Sequence, residues 1–185
     1  MNAELLRREL NLIKNEALRG KVEEILRSIP ECMEHKPSSS SGKYHPEFDR
    51  VDGGNINHTK AVVKVAEILM DATDYFADAE TYKEVFDSVI AACILHDMMK
   101  YGTDPDEAEH TVSNHPILAA KLIEDYDPKI AGLIECHMGK WNGIKNEQRE
   151  VVGYMPKPGN LLEVIVHFAD LIASREWVSE KILED

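Results

Sequence analysis

Apolar residues recur at helical spacing along most of the chain. Leu5, Leu6, Leu10, Leu12, Ile13, Leu18, Val22, Ile25 and Leu26 predict one long amphipathic helix over residues 2–28, which Pro30 helps to stop. Helical patterning resumes at 58–78, 81–98, 115–125, 127–138 and 159–182. Between the first two helices lies an irregular stretch, 35–57, with Pro37, Ser38 to Ser41, Gly42, Pro46 and the pair Gly53-Gly54. Loops longer than about 15 residues are usually functional or disordered. This one runs straight into His58 and is read as functional. Alternation with a period of two is nearly absent, and no segment repeats. The expected fold class is therefore all-α: a single-domain helical bundle in which an N-terminal helix and long active-site loop (1–57) pack on a core formed by 58–185.

Composition narrows the setting. The chain has 185 residues, enough for one compact domain with a real core. No apolar run approaches the ~18 residues that span a bilayer. Glu4, Arg7, Arg8 and Glu9 interrupt what would be the apolar stretch of a signal peptide. Cys32, Cys93 and Cys136 form no CxxC pair and read as reduced thiols, two of them in apolar runs. The expectation is a cytoplasmic protein with no membrane partner. A net charge of −13 disfavours long nucleic acid, whose binding leans on Lys and Arg. It leaves room for a small phosphorylated ligand, because bound cations reverse the local sign. The stretch from Ser38 to Lys43 is no phosphate-cradling P-loop: the first glycine is missing, Tyr44 follows the lysine and no strand precedes.

Eight histidines change the picture, through where they fall on the apolar faces. His58 precedes Val62, Val65 and Leu69 on the buried face of its helix, with Asn57 as the expected N-cap. His137 follows Ile130, Leu133 and Ile134 on the apolar side of another. His115 stands at a helix start marked by Asn114 and Pro116, in line with Leu118 and Leu122. His96 and Asp97 end the run Val89 to Leu95, which is apolar all round and reads as a central buried helix. A carboxylate there is costly to desolvate unless it is paired or bound to a cation. One histidine on an apolar face is ordinarily a hydrogen-bonded core residue; four on separate helices, one beside a buried Asp, point to a metal. Glu163, His167, Asp170 and Ser174 make a single polar stripe on the last helix, which fits a solvated face as well as a cavity lining with His167 and Glu163 orienting ligands. His110 is expected to be exposed.

The order His58, His96-Asp97, His115, His137, Asp170 resembles the HD superfamily of metal-dependent phosphohydrolases. Ile94-Leu95-His96-Asp97-Met98-Met99-Lys100 is similar to its apolar-HD-x-x-K segment, and His137-Met138-Gly139-Lys140-Trp141 to the H-x-G-x-W stretch of a nucleotide-processing branch. Val166 to Asp170, followed by Ala173-Ser174-Arg175, is similar to its terminal motif. The resemblance implies an HD-type bundle holding one or two divalent transition-metal ions (Mn, Fe, Ni, Co or Zn). By that analogy His58, His96, Asp97 and Asp170 hold one ion while Asp97, His115 and His137 hold the second. Asp97 would bridge, and Lys100 would neutralise developing phosphoryl charge; the other reading of Lys100 is a surface lysine ending a helix. Where some two-metal relatives supply a further histidine, Met138 follows His137 here. Lys43, His45, Lys140 and Arg175 are candidate phosphate contacts, and Trp141 or Tyr44 a base-stacking surface or simple packing.

The leading expectation is hydrolysis of a phosphate ester or anhydride in a small nucleotide or phosphorylated metabolite. An exoribonuclease-like phosphodiesterase acting on oligonucleotide ends is the alternative, and a metal-bound module without catalysis comes last. The 35–57 loop carries only Lys36, Lys43 and Arg50 as basic residues, against Glu47, Asp49 and Asp52, and aromatics make up 6% of the chain. Single-strand binders need a basic groove interleaved with aromatics, which favours the small substrate.

Overall fold

The structure is a computed structural model that describes residues 1–40, 42–73 and 78–184. Its fold is all-α apart from one short hairpin. Helix α3 (Gly54–Asp71) packs against α4 (Ala79–Leu95) and α7 (Leu161–Ala173), and α4 also packs against α6 (Pro128–Glu135). As the apolar run predicts, Val89 to Leu95 are all 0% exposed, so α4 is the central post of the bundle. Because its end is buried, His96, Asp97 and Met98, which follow Leu95, lie in the interior. No helix among the described residues is long and apolar enough to cross a membrane.

The expected helix 2–28 is broken in two, α1 (Arg7–Leu12) and α2 (Glu16–Ser28). Two polar groups make the break. Buried Asp87 on α4 accepts hydrogen bonds from the backbone N–H of Lys14 (2.9 Å) and Asn15 (2.7 Å), and the Asn15 side chain caps α2 by accepting from Ala17 and Leu18. An Asn that can satisfy free N–H groups favours a new helix start over continuation. Leu6, Leu10, Ile13, Val22 and Leu26 are nonetheless buried in the same hydrophobic core as α3, α4 and α7.

Helix α3 begins at Gly54, four residues before His58, so His58 lies in its second turn rather than opening it. Asn57 is not the N-cap; its Nδ2 donates to the Phe48 carbonyl (3.0 Å). The glycine pair explains the start. Gly53 has φ +75°, a left-handed value glycine adopts freely, and a Cβ on Gly54 would lie 2.1 Å from the Asp49 carbonyl oxygen. The 35–57 stretch is thereby packed against the bundle: Ser38 N–H donates to Asp49 O (2.8 Å), Asn55 N–H to Lys36 O (2.9 Å) and Tyr101 hydroxyl to Pro37 O (2.9 Å).

The remaining helices end earlier than their hydrophobic patterns suggest. Helix α4 stops at Leu95 rather than 98, α5 spans His115–Ala120, and α6 stops at Glu135 rather than 138. Helix α7 ends at Ala173, where the Ser174 hydroxyl and Arg175 Nε both bond the Leu171 carbonyl. Strands β1 (Gly143–Lys145) and β2 (Val151–Tyr154) pair antiparallel, a hairpin absent from the sequence reading. Val151, Val152 and Tyr154 are all exposed, so no in-out alternation marks it.

Candidate metal centre

The ends of α4 and α6 and the start of α5 each place a histidine. Past the ends of α4 and α6 the chain tightens into three-residue turns, and the ring of His96 donates through Nδ1 to the Cys93 carbonyl, that of His137 to the Ile134 carbonyl (both 2.7 Å). His115, the first residue of α5, does the same with Val112 (2.7 Å). A carbonyl can only accept, so each of these rings holds its proton on Nδ1, and in its neutral form each turns a lone pair on Nε2 inward. The three Nε2 atoms converge on Asp97.

Asp97 is wholly buried and divides its two oxygens. Oδ2 faces His96 Nε2 (3.3 Å), His58 Nε2 (3.7 Å) and the Lys100 ammonium, which bonds it; Oδ1 faces His115 Nε2 (3.1 Å) and His137 Nε2 (3.8 Å). Asp170 closes the first group, its Oδ1 3.1 Å from His58 Nε2 and 3.9 Å from His96 Nε2. On the polar stripe of α7, Asp170 thus faces His58 and His96. Two groups result, His58, His96, Asp97 and Asp170, and Asp97, His115 and His137, each with ligand atoms within 4.8 Å of one another.

The donor set fits a cation. Asp97 Oδ1 and His96 Nε2 are buried with no hydrogen-bond partner. Buried polar atoms are rarely left so, because the desolvation is uncompensated. Here acceptors face acceptors, the arrangement a divalent ion resolves. Imidazole nitrogens with carboxylate oxygens suit Zn, Mn, Fe or Ni.

The electrostatics follow from crowding charges out of water. Burial pushes the Asp97 carboxyl upward, but Lys100 and His96 outweigh it and hold it well below the usual carboxylate range. Asp170 is likewise held far down against its burial, by its hydrogen bond to His58. Burial pulls His58 down, but Asp170 and Asp49 outweigh it and its pKa rises to about 9. His137 has no such carboxylate bond, and burial together with His96 lowers it to about 3, keeping the ring in the neutral form that ligates. Burial also opposes the charge on Lys100, yet Asp97 raises its pKa.

The other candidate residues are placed by their own contacts. His167 Nδ1 donates to the His137 carbonyl (2.6 Å), and its ring lies against Gly139, where a Cβ would come within 2.2 Å of it. Gly139 has φ +55°, so the glycine of the H-x-G stretch is needed twice. Glu163, expected to orient a ligand, instead completes the capping box of its own helix, accepting from Gly159 and Asn160 N–H. The Arg175 guanidinium lies 5.9 Å from the Tyr44 ring and 5.8 Å from the Trp141 ring, with both aromatics about half exposed. Lys43 and Lys140 are exposed and lie over Tyr44 (5.2 Å) and Trp141 (4.5 Å). Two donors of Arg175 are spent on Leu171 O and Ser174 Oγ. His110 is exposed and belongs to neither group.

One participant escapes the sequence reading. Asp49, also wholly buried, accepts on Oδ2 from His58 Nδ1 (3.0 Å) and lies 3.1 Å from His45 Nδ1, which is also 2.9 Å from Ser38 Oγ. The spacing of His45 and Asp49 across one short turn was available, but without a periodic pattern Asp49 reads as one more loop acid.

A family model described as HD domain matches residues 55–175. No curated protein and no solved structure matches the chain.

Proposed function

Because the chain belongs to the HD-domain family of metal-dependent phosphohydrolases, we propose that it hydrolyses phosphate ester or anhydride bonds in small nucleotides or related phosphorylated metabolites, with two divalent ions held across Asp97. The carrying observation is the division of one buried carboxylate between two groups of inward-facing imidazoles. His58, His96, Asp97 and Asp170 would hold one ion and Asp97, His115 and His137 the other. Such a pair of ions would supply an activated water and a clamp on the phosphoryl oxygens.

The chain's own residues do the rest. Carboxylate suits the shared position because it offers two oxygens, where an imidazole turns one nitrogen inward. Lys100, fixed against Asp97, would neutralise charge developing on a phosphoryl group held at the ions. Tyr44, Arg175 and Trp141 form a rack on which a base stacks. Of the basic residues in the 35–57 loop, Lys36 donates to Ala108 O and Arg50 Nε to His45 O, so both are engaged within the protein. That supports a small substrate over an oligonucleotide.

The test is a grid on chelator-stripped protein, crossing Mn, Fe, Co, Ni and Mg with mononucleotides, generic phosphodiesters and labelled oligonucleotides. Metal-dependent turnover of mononucleotides, far above that of oligomers, is expected. Processive shortening of the oligomers with mononucleotides left intact would overturn the proposal.

A further inference from the structure

Of the four histidines around Asp97, three are anchored by the carbonyl three residues earlier. Those carbonyls lie at the ends of α4 and α6 and just ahead of α5, where no backbone N–H four residues on takes them, although Ile134 O and Val112 O also accept from the N–H of His137 and His115. His58 lies in the second turn of an 18-residue helix, where carbonyls belong to the ladder, and the Asn55 carbonyl further accepts from the Thr59 hydroxyl (2.9 Å). His58 therefore needs an acceptor from outside its own helix. Asp49 is placed to be that acceptor.

We infer that Asp49 is the positioning residue for His58, fixing the ring so that Nε2 faces Asp97 and Asp170. The inference rests on the proposed role of His58 as a metal-holding side chain. Asp49 precedes the span that the family model matches, residues 55–175. Its placement is over-determined. The Asp49 carbonyl accepts from Ser38 N–H (2.8 Å) and packs against Gly54, Phe48 beside it is 7% exposed, and Asn57 Nδ2 bonds the Phe48 carbonyl. With the backbone clamped to the first turns of α3, the carboxylate has one direction to point, at the Nδ1 of His58 and of His45.

A carboxylate partner also does more than a carbonyl. It holds the Nδ1 proton and makes Nε2 a stronger donor to a cation, an effect of the outer partners of metal-bound histidines worth about 10- to 100-fold in metal affinity. The group His58, His96, Asp97 and Asp170 is thereby the tighter of the two. His45, Asp49 and His58 also lie close enough to hold an ion of their own. Such an ion would need the Nδ1 of His58, and that nitrogen is committed to Asp49.

The experiment compares the wild type with Asp49→Asn, which keeps an acceptor of the same shape, and Asp49→Ala, which removes it. In metal-free protein the His58 Nδ1–H cross-peak, assigned with His58→Gln, should be protected from exchange in the wild type and retained in Asp49→Asn. It should be lost in Asp49→Ala with helical circular dichroism unchanged. By calorimetry the tighter Mn²⁺ site should weaken about 10-fold in Asp49→Asn and up to about 100-fold in Asp49→Ala. Mn²⁺ affinity within twofold of wild type in both variants, or a protected cross-peak in Asp49→Ala, would overturn the inference. So would loss of one whole ion with the others unweakened, which would make Asp49 a ligand. Should wild type bind no divalent ion, the metal-holding reading fails, and the cross-peak alone decides whether Asp49 positions His58.

Discussion

Asp97 Oδ1 lies 3.1 Å from Nε2 of His115, whose Nδ1 donates to the Val112 carbonyl. If the second group exists to hold an ion there, His115→Ala or His137→Ala should lower bound metal towards one per chain. Each should cost more activity than the roughly 10- to 100-fold loss an outer partner produces. His110→Ala should change neither quantity. Metal analysis by mass spectrometry with parallel kinetics decides it; two ions retained in His115→Ala would remove the second site.

The pH dependence of the chelator-stripped protein follows from two histidines of opposite sign. His58, raised to about 9, contributes stability fully present below the unfolded value near 6.5 and lost as pH rises through about 9. His137, lowered to about 3, contributes stability present above 6.5 and lost as pH falls through about 3. The depressed carboxyls of Asp97 and Asp170 add to the loss on the acid side. Thermal unfolding should therefore show a maximum Tm near pH 6.5, falling on both sides. A Tm climbing steadily from pH 6.5 to 9 would contradict this, and added Mn²⁺ should flatten the alkaline fall, because a cation held by His58 would displace its Nε2 proton.

Gly139 is constrained by its φ of +55° and by the His167 ring. Gly139→Ala should cost about 1–3 kcal/mol in chemical denaturation. The double variant Gly139→Ala/His167→Ala should recover the part due to the clash and keep the part due to φ. A fully additive pair would show that ring and glycine do not meet.

The proposed stacking of a base on Trp141 predicts a split between substrates. Stacking on an aromatic is worth about 1–3 kcal/mol per base, so Trp141→Ala should raise KM for a mononucleotide by roughly 5- to 150-fold. It should leave a base-free phosphate monoester unaffected. Equal losses for both compounds would make Trp141 a structural residue.

How legible all this was depends on whether a residue's role repeats with the period of its helix. His58, His115 and His137 share a face with apolar neighbours, and His96-Asp97 ends a wholly apolar run, so a 3.6-residue period exposes them as polar groups aimed inward. Asp170 was ambiguous because a polar stripe looks the same whether it meets solvent or a cavity. Asp49 was illegible: it sits in an aperiodic turn, and its partner is brought to it by the tertiary clamp at Gly54. The break at Asn15 depends on Asp87, 72 residues away, which no local pattern reports. Glu163 shows the opposite failure, a residue on the right face whose capping bond wins over the site. The hairpin 143–154 left no trace because its side chains alternate between no two environments.

Metal stoichiometry in the wild type and Asp97→Asn tests the central claim most directly. Asn keeps the shape of the side chain but cannot offer two anionic oxygens. The wild type, stripped and reloaded with Mn²⁺, should hold two ions per chain by equilibrium dialysis. Asp97→Asn should lose measurable affinity at both positions together, with its helical content intact. Retention of one ion at wild-type affinity in Asp97→Asn would mean that the carboxylate serves a single site and that the shared-bridge account is wrong.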